Sequence, residues 1–371
     1  MLHRSKSRLA LAAAAGTVCA LIAAGAALAA PTPSWSTHNP PVPNAFTNTT
    51  PALSLIQVNG RLGTFLAWKG QFDNKVHYKF RLNGTWHSSH VIPGAFTNTS
   101  PSAALFATKL GKQAVLVAWK SIGSGGLSTI KYSDGVVANN GSIGWTNPHV
   151  LPGGKFSETS ASPALLFPAN AVNPRVILAY RGPFDHVRIE IGTEIGTAGR
   201  GFSWGTKKVK SAFISGSANA TTNAQPALAE ILDPITGNGT VYVFWKGEGT
   251  VAPISYATTP DSATGGLNGN ASLHWTLQGP VPDGKGQAHT TGSPAVASAD
   301  VHGHGPLLLA YKGPSGFFIR FQTFSGGTWQ PHQFVNGNNN TTALGPALVH
   351  GILANVSRTD ARIFLHHFLH A

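Results

Sequence analysis

Thr50-Pro51-Ala52-Leu53 opens the stretch that decides the fold, and Phe65-Leu66-Ala67-Trp68-Lys69-Gly70 closes it. The first motif is a short apolar start after a hydroxyl and a proline. The second is an apolar run ending in an aromatic, a base and glycine. Both recur. Copies of the first stand at Pro163-Ala164-Leu165, Gln225-Pro226-Ala227-Leu228, Ser293-Pro294-Ala295-Val296 and Gly345-Pro346-Ala347-Leu348, with a looser one from Thr99 to Leu105. Copies of the second end at Trp119-Lys120-Ser121, Tyr180-Arg181-Gly182, Trp245-Lys246-Gly247 and Tyr311-Lys312-Gly313. A degenerate sixth candidate is Ile363-Phe364-Leu365-His366-His367-Phe368, with His367 in the place of the base. Six copies roughly fifty to seventy residues apart match the period of a propeller blade.

Each unit continues with an alternating run such as Val76-His77-Tyr78-Lys79-Phe80, then a glycine turn and a tryptophan such as Asn83-Gly84-Thr85-Trp86. All nine tryptophans fall on this pattern. Trp68, Trp119 and Trp245 take the aromatic-base position. Trp86, Trp145, Trp204, Trp275 and Trp329 open a fourth strand. Trp35 precedes the first full unit, and Ser36 through Pro43 resembles the segment from Trp86 to Pro93. The reading is an all-β, single β-propeller of six blades, each of about four antiparallel strands, with the N-terminal strand completing the last blade. The chain ends soon after the sixth aromatic-base candidate, which leaves three strands or an altered order for blade six. The tryptophans are expected to pack between neighbouring blades, where burial of such a ring contributes several kcal/mol.

Composition agrees. The 371 residues include 43 glycines and 25 prolines, and only 11% are charged. Long helices would not survive that content, because glycine costs about 1 kcal/mol and proline about 3 in a helix interior. Residues 1–29 read as a secretory signal peptide, with Arg4, Lys6 and Arg8, an apolar stretch from Leu9 to Leu28, and a small-residue cleavage site at Ala27-Leu28-Ala29. Residues 30–371 then form the propeller, with no integral membrane segment in the mature chain. Cleavage removes Cys19, the only cysteine, so disulfides, thiolate catalysis and cysteine-metal sites are excluded. It also lowers the net charge from +13 to +10, a balance that attracts anionic polymers. No lysine-arginine run tracks a phosphate backbone, so nucleic acid ranks low among partners.

At Ser-Pro-Ala, Ala-Tyr-Lys-Gly and Gly-Gly-Thr-Trp, the repeat resembles that of bacterial secreted propellers described as sialidase-like or lectin-like. The resemblance covers residues 35–371. Ser133-Asp134-Gly135, with Gly144-Trp145 further on, looks like a stretched Asp-box turn, which in those families is structural and lies away from the active face. True sialidases use an arginine triad, a tyrosine with a glutamate, and an aspartate. Their early Arg-Ile-Pro signature is absent here, and Tyr180-Arg181-Gly182-Pro183 belongs to the repeat. The resemblance therefore implies the scaffold more than the activity.

Antiparallel neighbours bring the start of strand one and the end of strand two to the same face. That predicts a rim of bases, Lys69, Lys120, Arg181, Lys246 and Lys312, with His367 sixth, and of hydroxyls, Thr50, Ser100, Ser160, Thr222, Thr291 and Thr342. The expected partner is a polysaccharide or another anionic cell-surface polymer, held by several weak sites on one rigid ring. A sialidase-like glycoside hydrolase and a protein-interaction platform are the alternatives. Catalytic signals are thin. A glycosidase needs two carboxylates roughly 5–10 Å apart, and Asp73, Asp185, Glu158 and Glu248 are merely the acids nearest the rim. No catalytic residue is assigned, no cofactor is implied, and no metal site is assigned to His302 and His304 or to His366, His367 and His370.

Overall fold

The computed structural model describes residues 34–36, 40–121, 128–156, 162–169, 175–182, 185–195, 201–204, 220–262, 265–266, 275–284, 286–300, 302–335, 342, 344–350, 352–357 and 360–369. They form a six-bladed β-propeller of antiparallel sheets. Blade one orders Ala52–Val58, Arg61–Lys69, Lys75–Leu82 and Thr85–Trp86 from the axis outward, and His90–Phe96 returns along the third strand. The inner strands of the next four blades are Ser102–Ala107, Ala164–Leu166, Ala227–Leu232 and Ala295–Ser298. Each pairs with the apolar run that ends in the base. The sequence expected this arrangement because each short strand alternates or is apolar throughout and is bounded by glycine turns.

Ring closure comes from the N-terminus. Blade six orders Ala347–Val349, Ile352–Val356, Arg362–Leu369 and then Ser34–Trp35, so the last blade is completed by residues more than three hundred positions away in sequence. Trp35 pairs with Phe368, and Pro41–Phe46 also joins the Arg362–Leu369 strand. This corrects the expected order of blade six. Ile363 to Phe368 lies in the third strand rather than the second, and the blade has its full complement. The second strand is Ile352–Val356, whose Ala354 faces Ala347 as Ala67 faces Ala52. Asn355 thus stands at the register of Trp68, and Val356 at that of Lys69. Substitution of both signature residues hid this strand from the repeat.

The tryptophans explain why the blades stay together. Six hydrophobic clusters fill the six blade interfaces. At each interface the fourth-strand tryptophan packs on the preceding blade. Trp145 lies edge-on to Tyr78 with ring centroids 5.3 Å apart, and Trp204 does the same with Tyr132 at 5.4 Å. Trp329 reaches Phe244 at 5.9 Å, and Trp35 reaches Phe321 at 5.6 Å. Trp275 and Trp86 join the corresponding clusters at the remaining two interfaces. Edge-to-face pairs of this kind add about 0.5–1.5 kcal/mol to what their burial supplies.

A second repeat ties the blades at the rim. In blades one, two, four and six the entering loop donates a threonine amide to the turn between strands two and three of the preceding blade. The bonds are Thr47 N–H to Ala361 O (3.0 Å), Thr97 to Asn74 (2.8 Å), Thr222 to Asp185 (2.7 Å) and Thr342 to Phe317 (2.7 Å). Asn74, Asp185 and Ala361 all adopt positive φ (54°, 62° and 57°), which aims their carbonyls across the interface. The Asp-box-like segment lies elsewhere. Gly135 pairs with Trp145 toward the end of its strand remote from this rim, and buried Asp134 accepts from the Thr146 hydroxyl at 2.9 Å.

The closing blade also carries a buried imidazole. His366 is fully buried, and its Nε2 is 2.9 Å from Asn355 Oδ1. Burial pulls its pKa down from 6.5 to about 4, with the neighbouring His367 adding to the effect. The folded state therefore favours the neutral ring. This contribution to stability is intact above pH 6.5 and is lost as pH falls from there toward 4. Urea denaturation is expected to show a loss of roughly 3 kcal/mol across that window from this group. His366→Gln, which retains a hydrogen bond to Asn355, is expected to flatten that part of the profile.

Candidate functional site

The six inner strands leave an axial passage with three parts. At the rim face it opens as a mouth of about 430 Å³. Below the mouth is a constriction of about 90 Å³, collared by Pro51, Pro101, Pro226, Pro294 and Pro346 and by the alanines that follow or oppose them. A chamber of about 270 Å³ lies beyond the collar, toward the opposite face.

The mouth is built by the loops that enter the blades. Asn48, Thr50, Asn98, Ser100, Ser162, Asn223, Gln225, Thr291, Ser293 and Gly345 bring blades one to six to a single opening. Its hydroxyls are pre-oriented by the protein. Thr50 Oγ1 donates to Gly345 O at 3.1 Å, and Thr291 Oγ1 donates to Gly313 O at 3.5 Å. Ser293 Oγ accepts the Gln225 amide at 3.1 Å, while the Gln225 side chain donates to Pro163 O at 2.7 Å. A hydroxyl that donates inward keeps lone pairs for an outside donor. The mouth thus presents hydroxyl and amide groups in fixed positions, with the Lys246 and Lys312 side chains also in its lining. The acids nearest the rim serve elsewhere: Asp73 pairs with His77 at 3.0 Å and Asp185 with Arg181. Glu158 lies outside the described residues, as does Ser160.

The structure divides the expected site residues. Thr50, Thr291, Lys246 and Lys312 line the mouth; Lys69, Lys120, Arg181 and Thr222 do not. Thr222 holds a different register from Thr50. Like Thr47, Thr97, Thr290 and Thr342, it closes a local turn, donating to Ala224 O at 3.1 Å and accepting that residue's amide at 3.1 Å. His367, placed in the third strand, approaches Arg81 at 3.4 Å and takes no part in the rim.

The bases behave as internal struts more than as a charged surface. Lys69 is only 4% exposed; its Nζ donates to Asn48 Oδ1 at 2.9 Å and to Gly70 O at 3.1 Å. Lys246 is equally buried and donates to Asn223 Oδ1 at 2.6 Å and to Gly249 O. Burial lowers both ammonium pKa values, with Asp73 opposing the shift at Lys69. Lys120 is lowered by burial and then by the charge of Arg181. Lys312 sits over the Phe317 ring, its Nζ 4.8 Å from the centroid. The sequence reading missed Asn48 and Asn223. The signal was there: Thr47-Asn48-Thr49 recurs as Thr97-Asn98-Thr99, and Thr222-Asn223 keeps its first half.

Among the described residues no group of three or more histidines, cysteines or acids is gathered to hold a metal ion. His302 and His304 give their backbone amides to Asp300 Oδ1 at 2.8 and 3.0 Å. His370 lies outside the described residues.

No family model and no curated protein matches the sequence. Solved structures do match the fold. A triple arginine-to-alanine mutant of AofleA from Arthrobotrys oligospora aligns with TM-score 0.54 and 10% identity, covering 91% of each chain. AofleA itself aligns with TM-score 0.51 and 10% identity over 91% of this chain and 90% of that one. A glucose dehydrogenase aligns with TM-score 0.50 and 11% identity over 91% of this chain and all of the other. At such identities the likeness establishes the shared propeller architecture alone.

The strut role of the lysines is directly testable. Lys69→Met keeps the aliphatic stem and removes the donors, leaving Asn48 Oδ1 and Gly70 O without them. Chemical denaturation is expected to show a loss of about 1–3 kcal/mol.

Proposed function

We propose that this protein is a secreted, lectin-like binding propeller that takes a polysaccharide at the mouth of its rim face. One observation carries the reading. Loops from blades one to five present hydroxyl and amide side chains to one open basin that blade six completes with Gly345, and Thr50, Gln225, Thr291 and Ser293 among them are fixed by internal hydrogen bonds. Groups held in place lose little freedom on binding, so the cost of ordering them is met during folding. Acceptors of this kind require a ligand rich in O–H donors, which a glycan supplies. The polar side chains described in the lining are hydroxyls, amides and the two lysines Lys246 and Lys312, with no carboxylate among the described lining residues, which favours binding over hydrolysis. A protein of similar fold, glucose dehydrogenase, is named for a sugar, which accords with this choice of ligand.

The structure also shifts the expected chemistry of the ligand. Lys69 and Lys246 spend their charge on carbonyl oxygens, and Arg181 is paired with Asp185. Neutral groups at the mouth therefore outnumber the two lysines that line it, Lys246 and Lys312. The net charge still supports loose attraction to anionic surfaces, but it does not select the sugar.

A glycan array followed by calorimetry on a hit tests this proposal. Affinity is expected to change less than about threefold between 0.1 and 0.5 M NaCl, because neutral hydrogen bonds are not screened. Asn98→Ala with Ser100→Ala is expected to weaken binding about tenfold or more, while Lys69→Met moves it less than about twofold. A steep salt dependence, or affinity that ignores the mouth substitutions, overturns the reading.

Secretion rests on the leader at residues 1–29, which lie outside the described residues. Edman degradation of protein recovered from the medium is expected to begin at Ala30. A chain retained in cells with Met1 intact refutes it.

A further inference from the structure

The back face, opposite the mouth, is built by the turns that lead from each inner strand into strand two. Inner strands run from the rim toward it, so their turns gather at one end of the propeller. Blade one turns at Asn59-Gly60, both at positive φ (48° and 76°), and presents Arg61 and Leu62. Blade two turns through Lys109-Leu110-Gly111-Lys112, where the Thr108 amide donates to Lys112 O at 2.8 Å. Leu62 is 49% exposed and Leu110 54%. Blade three adds Ile195, 47% exposed, just past the end of its third strand.

These turns are neighbours. Asn59 and Gly60 share a groove of about 580 Å³ with Gly111 and Lys112. Buried Glu194 accepts the Lys109 amide at 2.8 Å, which sets Ile195 beside the blade-two turn. The patch therefore interleaves three exposed aliphatics with three exposed cations, Arg61, Lys109 and Lys112. None of these cations stands in an ion pair among the described residues. The acids at this end are turned inward or engaged by their own loops. Glu194 and Asp261 are buried, and Glu230 Oε2 accepts the Ala169 amide at 2.8 Å. Asp233 is exposed on blade four, where its Oδ1 accepts the Ile235 and Thr236 amides at 2.9 and 2.7 Å.

The composition of the patch selects its occupant. The core of a protein interface is enriched in aromatic residues and depleted of lysine. Here the exposed groups are aliphatics at turn tips with lysines and an arginine between them. That pairing suits a surface with negative charge outside and hydrocarbon just beneath. We infer that the back face is a docking surface for an anionic phospholipid bilayer. Leu62, Leu110 and Ile195 enter the boundary between head groups and acyl chains, and Arg61, Lys109 and Lys112 meet the lipid phosphates. Bound this way, the propeller lies with its mouth turned toward solution. The surface uses none of the residues of the mouth.

Vesicle sedimentation with the full mature chain tests the inference. Vesicles of phosphatidylcholine with about 30% phosphatidylglycerol are expected to bind it about tenfold or more tightly than phosphatidylcholine alone. Lys109→Gln with Lys112→Gln is expected to weaken that binding about tenfold, and Leu62→Ser with Leu110→Ser to weaken it by about the same factor. Lys75→Gln with Arg362→Gln removes the same charge from exposed positions at the rim and is expected to change binding less than about twofold. That comparison separates a docking face from the net charge of the protein. Every substituted side chain is exposed. Thermal denaturation checks that each variant keeps its fold, and either back-face pair alone decides the matter if the other does not. Absence of binding to the mixed vesicles, equal losses from the rim and back-face pairs, or full binding by the leucine pair overturns the docking surface. Asn98→Ala with Ser100→Ala is expected to leave vesicle binding unchanged, so this inference and the glycan reading fail separately.

Discussion

Everything in this propeller depends on Trp35 reaching blade six. Five of the six interfaces are built by consecutive blades, so short connections bring them together. The sixth must join the two ends of the chain, and its entropic cost includes closing a loop of more than three hundred residues. That cost grows only logarithmically with length, and Ser34–Trp35, Pro41–Phe46 and the cluster between blades one and six offset it together. Ser34–Trp35 contributes two paired residues, and Trp35 buries its ring against Phe321 of blade five and Phe368 of blade six. The same tryptophan therefore completes one blade and locks it onto the blade before it.

That double role is what the other fourth-strand tryptophans do as well, and it was readable from the repeat. A residue kept at the outer strand of every unit fits a joint between units better than a ligand contact. The repeat also disclosed the closure, since Trp35 stood before the first complete unit. What the sequence concealed follows from the same logic. Blade six has Asn355 where other blades have tryptophan or tyrosine, and it uses that position to hold His366. A polar pair replaces an aromatic, so a search for the aromatic-base signature moved one strand too far along the chain. The pairing of Ala347 with Ala354 fixes the true order.

The rim was legible in outline and misleading in detail. Strand polarity alone places the ends of the second strands and the starts of the first on one face. It does not say which way a lysine turns there. Lys69 and Lys246 fold back onto carbonyl oxygens because the loop ahead of each inner strand carries an asparagine at hydrogen-bond reach. The hydroxyls divide for a similar reason. Threonine at the first loop position satisfies the backbone two residues on, as Thr47, Thr97 and Thr222 do, and only hydroxyls further along reach the axis. Sequence shows that both positions are hydroxylated; the turn geometry decides which one faces outward.

The prolines of the first motif acquire a role from this arrangement. Proline has no amide N–H, so a ring of prolines at the narrowest point leaves no donor stranded toward the axis. Close approach is possible there: Gly345 lies so near Ser293 of the neighbouring blade that a side chain at 345 would strike the Ser293 carbonyl. Thr50 then bridges to Gly345 across the closure, binding blade one to blade six at the same level. The collar thus serves the ring and the passage together. It draws the inner strands to contact, and in doing so it divides the axis into a mouth and a chamber. The series hydroxyl, proline, alanine and leucine in blades one and three, varied at one or two places in the other four, is the sequence form of that division. Read from rim to back, Thr50, Pro51, Ala52 and Leu53 pass from mouth to constriction to chamber, and repetition of the motif around the axis turns one strand's sequence into successive levels of the passage.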